Sequence, residues 1–148
     1  MNQIDKNFAK RKFEQMKNTH VLGQIVNEAG RLLRVDERRL SDHDSFIVSV
    51  RLTFERLTLY ISAKPDDDSI LIGLEPLPHG NDCEVAVADK RSHWLSVYGF
   101  ACQWAWTLTN QQGYTDGLRF EFYSGSSRHV IELIVAASQI HYYDFTQA

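Results

Sequence analysis

Long apolar runs are missing from these 148 residues: none approaches the roughly 20 that a membrane-crossing helix requires. Cysteine is scarce, at two residues, which excludes a disulfide-dense scaffold. The opening stretch MNQIDKNFAKRK has neither an apolar core nor a small-residue cleavage site, so it does not read as a secretory signal. Reduced thiols and a cytoplasmic location are the expectation. With only three prolines and eight glycines, the chain is neither collagen-like nor a low-complexity linker. Catalytic signatures are absent too. There is no G-x-S-x-G elbow, no phosphate-cradling G-x-x-x-x-G-K, no G-x-G-x-x-G, no C-x-x-C and no H-E-x-x-H.

What is present is a chain long enough for one domain, residues 1–148, which can bury roughly two-thirds of its unfolded surface without a metal or disulfide. Net charge is −3, unevenly spread: residues 1–74 hold 12 basic and 11 acidic side chains, residues 75–148 hold 4 and 8. Phosphate-backbone binding needs a concentrated basic face, and the sequence pI of about 6.0 does not supply one. No nucleic-acid partner and no membrane are expected.

Periodicity divides the chain in two. Residues 3–17 read as a helix with a loose apolar stripe of Ile4, Phe8, Phe13 and Met16. Between 21 and 40, Leu22, Ile25, Val26, Ala29, Leu32 and Leu33 keep helical spacing, although VLGQIV and RLLRV about Asn27 and Gly30 would also suit a hairpin; helix is preferred. From Ser45 the period becomes two. Alternating runs follow at 46–54, 57–61, 70–72, 102–108, 118–123, 129–136 and 140–145, separated by turn-forming residues. Ser92–Tyr98 has the composition of one short helix stopped by Gly99. The pattern predicts an α+β domain: a helical segment over about 3–40, one or two helices, packed on one face of a mainly antiparallel sheet of about six strands spanning about 45–146. Ile140–Phe145 is expected at its edge.

The densest segment is Leu108-Thr-Asn-Gln-Gln-Gly-Tyr-Thr-Asp-Gly-Leu-Arg-Phe-Glu-Phe122. Asn110–Gly113 has hairpin-loop composition, and Asp116-Gly117 suggests a bulge where the return strand begins. Such a hairpin gathers Asn110, Gln111, Gln112, Tyr114 and Asp116, whose amides, phenol and carboxylate could hydrogen-bond a polar ligand. The competing reading has Asn110 and Asp116 bonding their own backbone. This wording resembles a group of bacterial proteins classed as a domain of unknown function, over about residues 95–137 and back to Asp68-Ser69-Ile70. The resemblance implies a bacterial, cytoplasmic, single-domain protein and carries no activity, cofactor or catalytic residue.

Other constellations are weaker. Asp66, Asp67 and Asp68 offer hard-cation oxygens but lack EF-hand spacing. Asp42-His43-Asp44 reads as a polar loop, and His141 and Asp144, three apart on a strand, fall on opposite faces. Cys83 has His79 nearby as a conceivable base, whereas Cys102 leads an apolar strand face. Trp104 and Trp106 share a face with Leu108 and read as core or interface; Trp94, Tyr142 and Tyr143 are the interface candidates, with Trp94 partly exposed. No metal, cofactor or catalytic residue is assigned. The sequence thus favours a non-catalytic binding or protein-interaction module, with a homodimer and an inhibitor of the immunity type as two versions. The alternatives are a small-molecule binder or enzyme using the Asn110–Asp116 hairpin, and a metal binder using Asp66–Asp68 or the histidines.

Overall fold

A computed structural model describes residues 2–40, 46–64, 66–77, 83–87 (backbone only) and 93–147. One helix, α1 (Gln3–Glu28), begins at Asn2, whose side chain accepts a hydrogen bond from the Asp5 amide at 2.9 Å. Only its C-terminal half is buried, through Asn18, Val21, Leu22 and Ile25. The helix stops because Gly30 takes φ +80°, the left-handed conformation that glycine tolerates at a helix end. The stop is reinforced from far along the chain. Arg56 donates from Nε to the Glu28 carbonyl at 2.7 Å and from its amide to the Ala29 carbonyl at 2.9 Å. Glu55 Oε1 accepts from the Arg31 amide and Nε at 2.8 and 3.0 Å. A Cβ on Gly30 would lie 2.9 Å from that same carboxylate oxygen, so a side chain there would displace the Glu55 carboxylate as well as strain the backbone.

Among the described residues nine strands follow: β1 (Leu32–Leu40), β2 (Ile47–Phe54), β3 (Thr58–Lys64), β4 (Ser69–Gly73), β5 (Cys83–Val87), β6 (Cys102–Thr109), β7 (Thr115–Ser124), β8 (Ser127–Ala136) and β9 (Gln139–Gln147). They form two antiparallel sheets. Sheet I has the order β4-β3-β2-β1-β5 and sheet II the order β6-β7-β8-β9. The sheets pack face to face, β9 against β2 and β3 and β4 against β7 and β8, while α1 lies along the edge strands β4 and β6. Val35, Val50, Leu52, Leu59 and Ile61 from one sheet meet Leu118, Phe120, Phe122, Ile131, Leu133 and Ile140 from the other in a single apolar core.

The α+β class and the antiparallel pairing are as the alternation predicts, as is β9 at a sheet edge. The single sheet of about six strands is corrected to two sheets, with nine strands among the described residues. The helical segment ends at Glu28 rather than near 40: Leu32–Leu40 is a strand, so the sheet begins well before residue 45. The helical spacing misled because the β1 bulge between Leu32 and Arg34 puts Leu32 and Val35, three apart, on the same buried side and leaves Leu33 exposed. Among the described residues there is one helix, within the one or two expected, and it lies along sheet edges rather than on a face. The 92–98 helix shrinks to a 3₁₀ turn at Leu95–Val97, followed by Gly99 at φ +86°.

One turn is built against its composition. Ala137 and Ser138 take φ of +52° and +63° between β8 and β9, where Asn-Gly would be the easy choice. The Asp68 carboxylate accepts from the Ser138 amide at 2.8 Å and ties this turn to the start of β4.

The Arg31–Glu55 pair predicts a pH dependence. Hydrogen bonds from the Arg31 side chain and backbone hold the Glu55 carboxyl at about 2, below its ordinary 4.5. A depressed carboxylate stabilises the fold above its unfolded value and loses that contribution as pH falls toward the folded one. The stability gap between wild type and Glu55→Gln should therefore be full above about pH 4.5 and shrink toward about pH 2. Urea denaturation at stepped pH measures it; a gap that ignores pH would show that the ion pair contributes nothing.

Candidate functional site

The hairpin read from the sequence forms, but as a turn more than as a site. The Asn110 side chain accepts from the amides of Gln112 and Tyr114 at 2.9 and 3.2 Å, so it is spent on fixing the loop. Gln111 and Gln112 are exposed, and Asp116 is the extra residue of the bulge where Leu108 pairs with Gly117 and Thr109 with Thr115. Tyr114 alone of the five is drawn into a concave surface. It lines a polar cleft of about 200 Å³ between α1 and β4, with the Arg11 guanidinium 5.5 Å from its ring centre. Asn110, Gln111, Gln112 and Asp116 do not line it.

The interface candidates divide. Trp94 is fully buried, not partly exposed, and packs on Phe120 and Tyr142 with ring centres 6.0 Å away in each case. Tyr142 points inward beside Glu37, and burial pushes its phenol well above the ordinary range, with the Glu37 carboxylate acting in the same direction. Next to them, on the protein's surface, His93 Nδ1 meets Asp144 Oδ2 at 2.6 Å. Tyr143 alone of the three faces solvent.

It has company that the sequence assigned ambiguously. Trp104 and Trp106, whose shared face with Leu108 suited core or interface alike, stand on the outer face of sheet II. A bulge at Gln103 explains the reversal for this strand: Cys102 pairs with Phe122 on the core side, and one extra residue turns Trp104 outward opposite Glu121. Cys102 stays in the core, where burial pushes its thiol up to about 12 and leaves no thiolate for chemistry.

The registers of β6 to β9 set out two rungs across this face. One runs Trp104, Glu121, Val130, Phe145, and the other Trp106, Arg119, Glu132, Tyr143. Each ends in an aromatic ring on both edge strands, and Trp104, Trp106, Tyr143 and Phe145 are 56, 42, 59 and 49% exposed. The two indoles stack at 6.3 Å. Between the aromatic columns lies a charge network. Glu121 accepts from Arg119 at 3.3 Å and from Arg128, and Arg119 also reaches Glu132 at 3.4 Å. The guanidinium of Arg119 sits 5.8 Å from both the Trp106 and Phe145 rings, and that of Arg128 lies 5.9 Å from Phe145. Two cations and two anions cancel, so the face is apolar at its borders and neutral at its centre.

The remaining sequence candidates are placed as follows. Asp67 binds the Ser69 amide and hydroxyl at 3.0 and 2.6 Å, and Asp68 holds the Ser138 turn. His141 and Asp144 occupy opposite faces of β9, by register with Ile134 and Ile131. Among the described residues no group of three or more His, Cys, Asp or Glu side chains gathers at one point. Asp42-His43-Asp44 and His79 lie outside the described residues, and for Cys83 only the backbone is described. No described helix is long and apolar enough to cross a membrane.

Residues 14–148 match the model of a family of unknown function (DUF6334), and the chain belongs to that family. No curated protein and no solved structure matches it.

Proposed function

We propose that the protein is a non-catalytic interaction module that self-associates through the outer face of sheet II, two copies stacking these faces about a two-fold axis. The observation that carries this reading is the pair of exposed aromatic columns flanking an internally neutralised Arg–Glu network. Contiguous apolar patches beyond a few hundred Å² are unusual on monomers and mark contact surfaces. Four strands of about eight residues cover roughly 500 Å² in plan, so two copies bury on the order of the 1,000 Å² a specific interface needs.

Charge argues for a second copy as the occupant. A face whose cations are matched by its own anions offers no net attraction to a nucleic acid or a strongly charged protein, yet suits an identical neutral face. The immunity-type reading leans on the acidic excess of residues 75–148, and this surface contributes nothing to that excess, because Arg119 and Arg128 match Glu121 and Glu132.

The test is sedimentation over a concentration series. Wild type should run as a dimer, and Trp106→Glu, which plants an unmatched charge in the patch, should run as a monomer with an unchanged circular dichroism spectrum. A wild type that stays monomeric at the highest concentration reached, or a Trp106→Glu variant that still dimerises, overturns the reading.

A further inference from the structure

A cavity of about 270 Å³ lies on the opposite side of the molecule, on the outer face of sheet I, with Pro76 and Leu77 beyond β4 forming one wall. Its floor is a grid set by strand register. Asp36, Arg51 and Tyr60 form one rung, and Arg38, Ser49 and Ser62 the next; the intervening Glu37, Val50 and Ile61 point to the other side. A solvated sheet face is usually polar, so residue type alone signifies little. Concavity and burial distinguish this one.

Asp36 is nearly inaccessible, although it lies on the outer face. One of its oxygens takes Arg34 Nε at 2.9 Å, the other takes Arg51 Nη2 and Nε at 2.8 and 3.2 Å. The carboxylate therefore acts as an anchor: it fixes the Arg51 guanidinium and leaves its Nη1 donors unspent among the described residues. Arg38 forms no ion pair among the described residues. As diagonal cross-strand neighbours, Arg38 and Arg51 have Cβ atoms roughly 7–8 Å apart, within reach of one shared oxyanion. Ser62 is buried, and its hydroxyl has only a 3.5 Å contact with the carbonyl of the next residue, at the outer limit of a hydrogen bond. A buried hydroxyl so weakly matched is a donor in want of an acceptor. Asp36 is shared by Arg34 and Arg51 and the Glu37 carboxylate is engaged by Arg39, so among the described residues Arg38 carries a charge that no carboxylate matches.

We infer that this cavity binds a small organic anion. Arg38 and Arg51 grip its oxyanion, Ser62 donates to a second oxygen, and its body lies between the Tyr60 ring and the Pro76-Leu77 wall. The volume is near the lower end of ligand sites, which restricts the guest to a small metabolite carrying a carboxylate or a phosphate. The site is independent of the self-association face.

Titration of ¹⁵N-labelled protein with glycerol 3-phosphate and, separately, with malate distinguishes the two oxyanions, with glycerol as the neutral control. At physiological ionic strength one anion should give saturable amide shifts centred on residues 36–38, 49–51, 60–62 and 77, with Kd at or below about 1 mM. Arg38→Gln and Ser62→Val should each weaken it by about tenfold or more, with the remaining spectrum unchanged. Trp106→Glu should leave it intact. Linear, unsaturable shifts with both anions, a response centred elsewhere, or undiminished affinity in both cavity variants would overturn the assignment.

Discussion

Trp94→Ala should cost about 3–5 kcal/mol of folding stability, the range for deleting a large aromatic side chain from a packed core. Trp94 has no accessible surface and joins the 3₁₀ turn to both Phe120 and Tyr142, so its removal leaves a cavity bordered by groups from two strands of sheet II. With total stabilities of about 5–15 kcal/mol, that loss consumes a large part of the whole. The urea midpoint should fall steeply at nearly constant m-value, and Trp94→Phe should recover much of it. The companion measurement is Trp104→Ala, which removes the same side chain from an exposed position and should stay within about 0.5 kcal/mol of wild type when measured on monomer. Equal losses for the two would contradict the burial order on which both the core and the interaction face rest.

Glu121→Ala should destabilise by roughly 2–3 kcal/mol. The carboxylate is 4% exposed and holds two guanidiniums, so its removal leaves Arg128 without its carboxylate and Arg119 with Glu132 alone. The partly solvated arginines keep the figure below that of a fully buried pair. Replacing Glu121 and Arg128 together by Leu and Met should recover most of the loss, because no ion is then left unmatched. Chemical denaturation of the single and double variants measures the coupling; a neutral Glu121→Ala would mean that solvent already satisfies both arginines.

The fold class was legible because period-two alternation survives in nearly every strand. Leu118, Phe120 and Phe122 could be assigned to one face from spacing alone, and they are core. What alternation cannot reveal is which face is inward, or where a bulge reverses it. Cys102 and Trp104 are two apart and should be equivalent; the extra residue at Gln103 separates core from surface between them. The helix boundary was hidden for another reason. Gly30 is a local signal, but its partners, Glu55 and Arg56, are supplied by a hairpin some 25 residues later. The Asn110–Asp116 segment attracted notice through composition, and composition reported the requirements of the turn. The aromatic columns were visible as residues but not as a surface, because Tyr143 and Phe145 join Trp104 and Trp106 only across two intervening strands.

Helix α1 changes character at Asn18. Beyond that point it is bound into the core, while none of residues 2–17 is buried, and Arg11 over the Tyr114 ring is the tether nearest its middle. A helical stretch of this length is only marginally stable on its own in water. The same continuous element therefore opens in two ways. Its last turns should exchange their amide hydrogens only when the whole domain unfolds, whereas its first turns should unwind and rewind independently at little cost. The family match begins at residue 14, close to where this second regime gives way to the first.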